Sequence, residues 1–224
     1  MKFSDITILI TYYNTDYNIF NETIESLKKI QNKKQISPVI IIDDGSDLDH
    51  KENIYKILKE NNITDVNVYH LEKNMNLTYA VWYGLSKIKT NYTMRLDSDD
   101  IIYYVPICEK DVDVILKYKT AETHEKWKKH EGNSHLPGIV MKTKLYKKMY
   151  DNYEYFREYE RVIHEDTYHF QRFLLMNKNY TWCRTKNIHY IYRSKIGIMA
   201  KEKNKSTKEI DKHIINMLKK ENLY

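Results

Sequence analysis

The chain has 224 residues and a formal net charge of +6, from 37 basic and 31 acidic side chains. That length fits one domain with at most a small appendage, and 42% hydrophobic residues, with 21 Tyr among the aromatics, exclude a disordered chain. No apolar run reaches the roughly 20 residues that span a bilayer, and the N-terminus lacks the pattern of a secretory signal. Cys108 and Cys183 form neither a CxxC motif nor a disulfide framework, which predicts a reduced, cytoplasmic protein.

Strand-like and helix-like segments alternate through the first half of the chain. Apolar and β-branched runs predict strands at 6–11, 38–42, 66–71 and 92–96. Three helices are predicted between these strands. The first is marked by Phe20, Ile24 and Leu27, the second covers residues 49–61, and the third is marked by Leu77, Val81, Leu85 and Ile88. The order β-α-β-α-β-α-β with short connections predicts an α/β fold, with a mostly parallel twisted sheet and helices on both faces.

The second half is less regular. It has a candidate strand at 112–118, a charged surface loop or helix at 122–131, a short apolar segment at 138–141, a helix at 164–176 whose Phe170, Phe173 and Leu174 face inward, and a late strand at 188–192. These elements have no repeat and no Pro-rich or Gly-rich linker between them, so we expect them to complete the same domain.

A basic amphipathic helix is predicted at the C-terminus. Residues 201–224 carry seven Lys and four acidic residues, and so supply +3 of the net charge. A capping-box pattern at 206–209 precedes an apolar stripe of Ile210, Ile214, Met217 and Leu218. The stripe packs either on the domain or on a second subunit of a homodimer, or it makes a peripheral contact with an anionic membrane.

Three polar clusters follow predicted strands, at 11–14, 43–47 and 97–100. Parallel sheets bind ligands beyond the carboxyl ends of their strands, and these clusters are expected to share that rim. Each cluster alone is compatible with a solvated turn. Three such clusters on one rim of the sheet indicate a binding site.

The residue types in the clusters suit a nucleotide. Carboxylates in Asp97-Ser98-Asp99-Asp100 can hold a hard cation that bridges to a phosphate, unless the motif only caps a helix. A carboxylate in Asp43-Asp44-Gly45-Ser46 can accept the N3–H of uracil, or the motif is a plain strand-to-helix turn. An aromatic ring in Thr11-Tyr12-Tyr13-Asn14 can stack on a nucleobase, or it is an ordinary tyrosine.

Two acidic residues open the apolar helix predicted at 164–176, in the run His164-Glu165-Asp166. The helix dipole stabilises an ionised carboxylate in the first turn. An ionised carboxylate suits a general base that takes a proton from a hydroxyl. The alternative is ordinary capping by acidic residues.

Together these stretches resemble glycosyltransferase family 2, the inverting transferases of GT-A fold. The matching stretches are ITILITYYN, VIIIDDGSD, NMNLTYAVWYG, MRLDSDD and HEDTYHF, in the family's order and approximate spacing. The resemblance covers residues 5–105 well and 138–200 more loosely. It implies a GT-A domain over 1–200, with a nucleotide-sugar-binding half at 1–105 and an acceptor and catalytic-base half at 106–200, followed by the helix at 201–224.

The resemblance also implies which residues bind the donor. Thr11 and Tyr13 match positions that contact the base and the ribose. Asp44 matches the carboxylate that pairs with the uracil edge, with Asp43 beside it, and Asp97 lies nearer the ribose. The late stretch HYIYRSKIG resembles a family element that places Arg193 and Lys195 near the diphosphate.

For the metal and the chemistry, the resemblance implies Mn²⁺ or Mg²⁺ at Asp99, with Asp97 and Asp100 able to share it, and Asp166 as the catalytic base. The metal neutralises the diphosphate as it departs. Asp166 deprotonates the acceptor hydroxyl, which attacks the anomeric carbon from the opposite face and inverts it. The implied acceptor is a glycan, a lipid-linked molecule or a modified nucleic acid.

Four positions depart from the family pattern. Asn76 replaces a glycine and can keep its left-handed backbone. Trp82 replaces an asparagine, and Val81 replaces a residue that is often basic. Lys195 stands where histidine is common, so either it binds phosphate as a point charge or His189 or His164 completes the metal shell.

Two other functions compete. A sugar nucleotidyltransferase is disfavoured because the turn Tyr12-Tyr13-Asn14-Thr15 contains no glycine. A binding module of transferase-like fold, for nucleic acid or membrane, is suggested by the net charge and the basic terminal helix, and the acidic clusters count against it. Heavy use of Lys, Asn, Ile and Tyr indicates an AT-rich genome, viral or low-GC bacterial, so isolated lysine runs carry little weight.

Overall fold

The computed structural model describes residues 1–32, 37–117, 120–122, 128–130, 136–154, 165–193 and 207–223. The strands are β1 (Ile6–Tyr12), β2 (Val39–Asp43), β3 (Val66–His70), β4 (Tyr92–Asp97), β5 (Ile101–Ile102), β6 (Val114–Leu116), β7 (Thr120–Glu122), β8 (Lys128–His130), β9 (Val140–Lys142), β10 (Trp182–Arg184) and β11 (Tyr190–Tyr192). The helices are α1 (Tyr17–Asn32), α2 (Leu48–Glu60), α3 (Leu77–Lys87), α4 (Thr143–Met149), α5 (Glu165–Met176) and α6 (Thr207–Lys220). A 3₁₀ turn, Phe3–Asp5, precedes β1.

The main sheet has seven strands in the order β10-β6-β9-β4-β1-β2-β3. Strands β3, β2, β1 and β4 are parallel neighbours, β9 lies antiparallel to both β4 and β6, and β10 is parallel to β6. The predicted α/β fold with a mostly parallel sheet is therefore confirmed. The alternating first half of the chain forms the parallel part.

Strands β1 and β2 are buried on both faces, which explains their largely apolar sequences. Ile8, Ile10 and Ile41 point into a core that includes the apolar face of α1, whereas Leu9 and Ile42 point into a second core lined by α3, α4 and α5. Helices thus cover both faces, as expected from the sequence. At Gly84, an added Cβ would lie 2.5 Å from the Leu9 side chain, so this glycine lets α3 pack closely on β1.

A second sheet has the order β5-β11-β7-β8. It corrects the loop or helix expected at 122–131, because β7 ends at Glu122 and 128–130 form β8, antiparallel to it. The rest of that segment lies outside the described residues. Strand β7 also pairs with β11, with Ala121 opposite Ile191, a partner 70 residues away that local composition does not encode.

Helix α6 packs on this same domain. Ile214, Met217 and Leu218 are buried against Tyr168 and its neighbour on α5, Leu175. Ile214, Met217 and Leu218 of the stripe therefore take the intramolecular alternative, whereas the side chain of Ile210 lies outside the described ones. The membrane contact and the second-subunit contact stay predictions.

Beyond α6, Glu221 fastens this end of the chain to the domain by accepting hydrogen bonds from Arg172 at 2.7 Å and from Asn152 at 2.8 Å. None of the helices in the described part of the chain has both the length and the apolar character needed to cross a bilayer.

Candidate active site

The carboxyl ends of β2, β1 and β4 lie side by side. Thr11 of β1 is opposite Asp97 of β4, and Tyr12 of β1 is opposite Asp43 of β2. The three polar clusters therefore occupy one rim, as the order of elements predicted. A ligand at this rim would meet all three.

Hydrogen bonds between the clusters fix the rim. The backbone N–H of Asn14 donates to Ser46 Oγ at 3.0 Å, and its side-chain amide donates to Asp47 at 3.1 Å. On the other side, the hydroxyls of Thr15 and Ser98 are 2.7 Å apart. Tyr13, between these tethered neighbours, is 36% exposed, so its ring is available for stacking.

Asp43 is fully buried and both of its oxygens are engaged. Oδ1 accepts the backbone N–H of Ser46 at 3.0 Å, and Oδ2 lies 2.7 Å from Nδ1 of His70 at the end of β3. The other ring nitrogen of His70 is 2.7 Å from the Tyr55 hydroxyl. Asp43 thus shapes the turn and joins β2 to β3, and its expected contact with the donor stays a prediction.

Asp44 lies between the end of β2 and the loop that enters α3. Its Oδ1 accepts the backbone N–H of Met75 at 2.8 Å. Gly45 has φ +70°, and a Cβ there would lie 2.1 Å from the Lys73 carbonyl carbon, so the close approach requires glycine. Asn76 keeps the left-handed backbone expected of it, with φ +77°. Burial raises the pKa of Asp44 to about 6, with Asp43's charge adding to the shift.

Asp97 and Asp99 are partly exposed, whereas Asp100 points inward and is fully buried. Asp100 accepts the backbone N–H of Arg193 at 2.8 Å and the hydroxyl of Tyr190. Burial and the neighbouring charge of Asp97 raise the pKa of Asp99 to about 6. Asp97 and Asp99 are therefore the carboxylates of this motif that are open to solvent, and the expectation that Asp100 shares a metal stays a prediction.

Asp166 stands in the first turn of α5 and is 9% exposed. Its Oδ1 accepts the backbone N–H of Thr167 at 2.8 Å, which leaves the carboxylate at the positive end of the helix dipole. The preceding residue, Glu165, is buried beneath it and contacts Arg95 of β4 at 2.5 Å. The first turn of α5 is thus tied to the strand that carries the Asp97 cluster.

The guanidinium of Arg193 is engaged within the protein, and its expected place near a diphosphate stays a prediction. Its guanidinium donates to the backbone carbonyl of Ile19 at 2.9 Å and to Glu22 on α1, and its Nε donates to the carbonyl of Asp99. It therefore shapes the acidic turn, and direct donor contact by Arg193 would need these bonds to break. Lys195, its expected partner, lies outside the described residues, as does His164.

His189 is 1% exposed, and its Nε2 donates to the carbonyl of Gly138 at 2.7 Å. Burial lowers its pKa to about 4, so it is neutral. Val81 is fully buried in the core under α3, so it reaches no phosphate. Trp82 stacks on Tyr153 with ring centroids 3.9 Å apart.

Two buried cations escaped the sequence analysis. Arg95 forms ion pairs with Asp97 and Glu165, and Lys117 donates to the carbonyl of Pro137 at 2.7 Å with its ammonium over the ring of Tyr190. Burial lowers the pKa of Lys117 to about 8, and nearby carboxylates, Asp166 first, partly offset that effect. The signal was an arginine inside the otherwise apolar β4, because a charge in a buried strand needs a partner.

Comparison with known proteins decides the family. The family model described as Glycosyl transferase family 2 matches residues 7–168, well over half of the chain. The chain belongs to this family. Membership in glycosyl transferase family 2 confirms the resemblance that the motifs predicted.

Relatives of this family 2 chain include the poly-beta-1,6-N-acetyl-D-glucosamine synthase of Staphylococcus aureus, 35% identical over 97 residues. That match covers 43% of this chain and 22% of the synthase, so the chain spans about a fifth of the length of the curated relatives it matches. A staphylococcal relative agrees with the low-GC bacterial composition.

Two solved structures share the fold. TarS of S. aureus, in complex with UDP-GlcNAc, superposes with a TM-score of 0.64 at 16% identity, covering 97% of this chain and 67% of that one. The mannosyltransferase PcManGT of Pyrobaculum calidifontis, in complex with GDP-Man and Mn²⁺, has a TM-score of 0.58 at 10% identity, covering 84% and 56%. At these identities the likeness establishes the GT-A fold.

Proposed function

We propose that the chain transfers a sugar from a nucleotide-diphosphate donor, preferably a UDP-sugar, to an acceptor hydroxyl with inversion at the anomeric carbon. The observation that carries this proposal is that the Asp44 and Asp97 clusters share one rim with Tyr13. The first turn of α5, which carries Asp166, is tied to β4 through Glu165 and Arg95. The TarS complex with UDP-GlcNAc supports the choice of donor.

On this proposal, the base lies at the β1 and β2 ends. The ring of Tyr13 stacks on the base, Thr11 contacts the nucleoside, and Asp44 accepts the N3–H of uracil. Guanine also offers an N1–H donor to a carboxylate, so the preference for a uridine donor rests on the TarS complex with UDP-GlcNAc. Asp44 is held by Met75 at 2.8 Å before any ligand arrives, which reduces the cost of ordering it on binding.

A divalent cation suits the chemistry of Asp97 and Asp99. Mg²⁺ and Mn²⁺ bind oxygen ligands, and Mg²⁺ usually takes one or two carboxylates together with substrate phosphates. The raised pKa of Asp99, caused by burial and by the charge of Asp97, is that of a carboxylate that a nearby cation would stabilise in its charged form. When bound, such a cation neutralises the departing diphosphate.

The protein's own steps concern the acceptor. Asp166 accepts the proton of the acceptor hydroxyl as that oxygen attacks the anomeric carbon, and the bond to the diphosphate breaks on the opposite face. Its place at the N-terminus of α5 favours the ionised form of a carboxylate, which a general base needs. A glycan acceptor agrees with the poly-beta-1,6-N-acetyl-D-glucosamine named for the Staphylococcus aureus relative.

The test is transfer itself. The chain is incubated with UDP-GlcNAc, Mn²⁺ and candidate glycan acceptors, and the product linkage is read by NMR. We expect the parent to form a product of inverted configuration and Asp166→Asn to lose at least about 10²-fold in rate, the usual contribution of a general base. A retained configuration, or full activity of Asp166→Asn, would contradict the mechanism.

The competing binding module makes a different prediction. Binding to a nucleic-acid backbone falls steeply as salt rises, because phosphate contacts release counterions. We expect no such binding by the main domain, since Lys142 and Arg172 are already paired with acidic residues. Steep salt-dependent binding to DNA, with no nucleotide-sugar transfer, would favour the binding module.

A further inference from the structure

One guanidinium joins the two halves of the candidate active site. Arg95 Nε lies 2.7 Å from Asp97 Oδ1, and Nη2 lies 3.3 Å from Oδ2, so the pair is bidentate. On its other edge, Nη1 donates to Glu165 Oε1 at 2.5 Å. Arg95 is 2% exposed, so the guanidinium itself is shielded from water.

A tyrosine completes the contact on the α5 side. The hydroxyl of Tyr150 donates to Glu165 Oε2 at 2.8 Å and lies 3.3 Å from Arg95 Nη1. Both oxygens of Glu165 are therefore held. The side chain before Asp166 is thereby fixed in a charged, buried network.

We propose that Arg95 is a positioning residue that sets where the first turn of α5, and so the Asp166 carboxylate, stands relative to the donor-side carboxylate Asp97. This inference rests on the proposed function and adds a coupling between its two halves. A buried ion pair is a poor source of stability, but it can specify one arrangement of the elements that it joins. Here it joins β4 to α5, which are otherwise 70 residues apart along the chain.

Lysine cannot replace this arginine. The planar guanidinium presents donors on two edges at once, whereas a lysine ammonium is a point charge on a flexible stem. A lysine at position 95 would keep one positive charge and could satisfy one carboxylate well, but not both in fixed geometry. A displacement of about 1 Å at a base or nucleophile can cost about 10²-fold in rate.

The experiment uses three variants and two readouts. Arg95→Lys tests whether a guanidinium that binds both carboxylates is needed. Glu165→Gln removes the ion pair between Arg95 and α5 and leaves the pair with Asp97 intact, and Arg172→Lys is the matched control. Arg172 is also a buried arginine and lies on α5, the helix that carries Glu165. Its partners are Asp151, Glu221 and the backbone carbonyls at the end of α4. UDP affinity is measured by calorimetry and kcat for sugar transfer separately.

For Glu165→Gln we expect UDP affinity within about threefold of the parent and kcat lowered by about 10²-fold. Arg95→Lys should lower kcat as much. The double variant Arg95→Lys/Glu165→Gln should lower kcat little further, because both changes break one network. Arg172→Lys should keep kcat within about threefold. Equal kcat in Glu165→Gln and Arg172→Lys, or independent multiplicative losses in the double variant, would overturn the positioning role.

The outcome also separates this inference from the proposed function. If the parent binds UDP but transfers no sugar to any acceptor, the proposed function fails and kcat cannot be compared. If the parent transfers sugar and Glu165→Gln does so equally well, the proposed function stands and the coupling through Arg95 is rejected.

Discussion

The backbone N–H of Arg193 donates a 2.8 Å hydrogen bond to Oδ1 of Asp100, a residue 93 positions earlier in the chain. The same carboxylate accepts the hydroxyl of Tyr190, so β11 is fastened to the acidic turn at two points. The last acid of the motif therefore builds the turn, whereas Asp97 and Asp99 stay partly exposed. The different roles of the carboxylates within Asp97-Ser98-Asp99-Asp100 follow from their burial and could not be assigned from the motif alone.

Removing that carboxylate should destabilise the fold. Asp100→Ala leaves two buried donors, the Tyr190 hydroxyl and the Arg193 N–H, without their acceptor, at a cost of about 1–3 kcal/mol for each. The free energy of unfolding, from urea titration, should fall accordingly. The exposed Asp65 is the control, and Asp65→Ala should change stability by less than about 0.5 kcal/mol. Equal stability of the two variants would contradict the assignment.

Asp44 predicts a distinctive pH dependence. Its pKa rises from the usual 3.8 to about 6 through burial, so between these values the folded state binds a proton that the unfolded state has released. Its contribution to stability is therefore complete below about pH 4 and is lost as the pH rises through 6. Relative to Asp44→Asn, the parent should lose on the order of 2–3 kcal/mol over that window.

Unfolding of both proteins by urea between pH 4 and 7 measures this difference, since the other buried acids contribute alike to parent and variant. A parent that gains stability relative to Asp44→Asn as the pH rises would show that the carboxylate is stabilised as the anion in the free protein. UDP affinity of the parent should fall below pH 6, as the acceptor for N3–H is lost.

Trp82, which departs from the family pattern, should be coupled to Tyr153. Their rings stack at 3.9 Å with an interplanar angle of 25°. A double-mutant cycle of Trp82→Ala and Tyr153→Ala, measured by urea unfolding, should give a coupling of about 0.5–1.5 kcal/mol. The pair Tyr55→Ala and Trp82→Ala is the control and should be additive. A coupling of zero between Trp82 and Tyr153 would remove the stacking as a reason for the tryptophan.

Helix α6 should behave as part of the domain. Leu218 is fully buried against α5, so Leu218→Ala should lower the free energy of unfolding by about 2–5 kcal/mol. Lys212→Gln, at an exposed position on the same helix, serves as the control and should have little effect. Binding of the parent to anionic vesicles, reduced by removing residues 205–224, would instead support the membrane contact.

Much of the fold could be predicted because the first half follows simple patterns. Phe20, Ile24 and Leu27 mark α1 through their spacing, and the apolar run ending at Ile42 marks a strand covered on both faces. Strand β9 could not be recognised, since three residues leave no periodicity to measure. Its place between β4 and β6 depends on long-range pairing, as with Met141 opposite Thr93.

The site was predictable in location and less so in detail. Asp44 and Asp99 lie at strand ends, where the topology brings them to one rim. Arg193 was expected at a diphosphate because of its motif, but its guanidinium bonds are fixed by α1, which the sequence around Arg193 does not contain. Arg95 was missed because its partners, Asp97 and Glu165, belong to two motifs that were considered separately.

The most direct test of the account is calorimetric titration of UDP in the presence of Mn²⁺, with the parent and Asp99→Ala, and with GDP and dTDP alongside. The account predicts metal-dependent binding of UDP in preference to GDP, lost in Asp99→Ala and kept in the control Asp65→Ala. Preference for another nucleotide would keep the transferase and change its donor. No nucleotide binding by the folded parent would contradict the central claim.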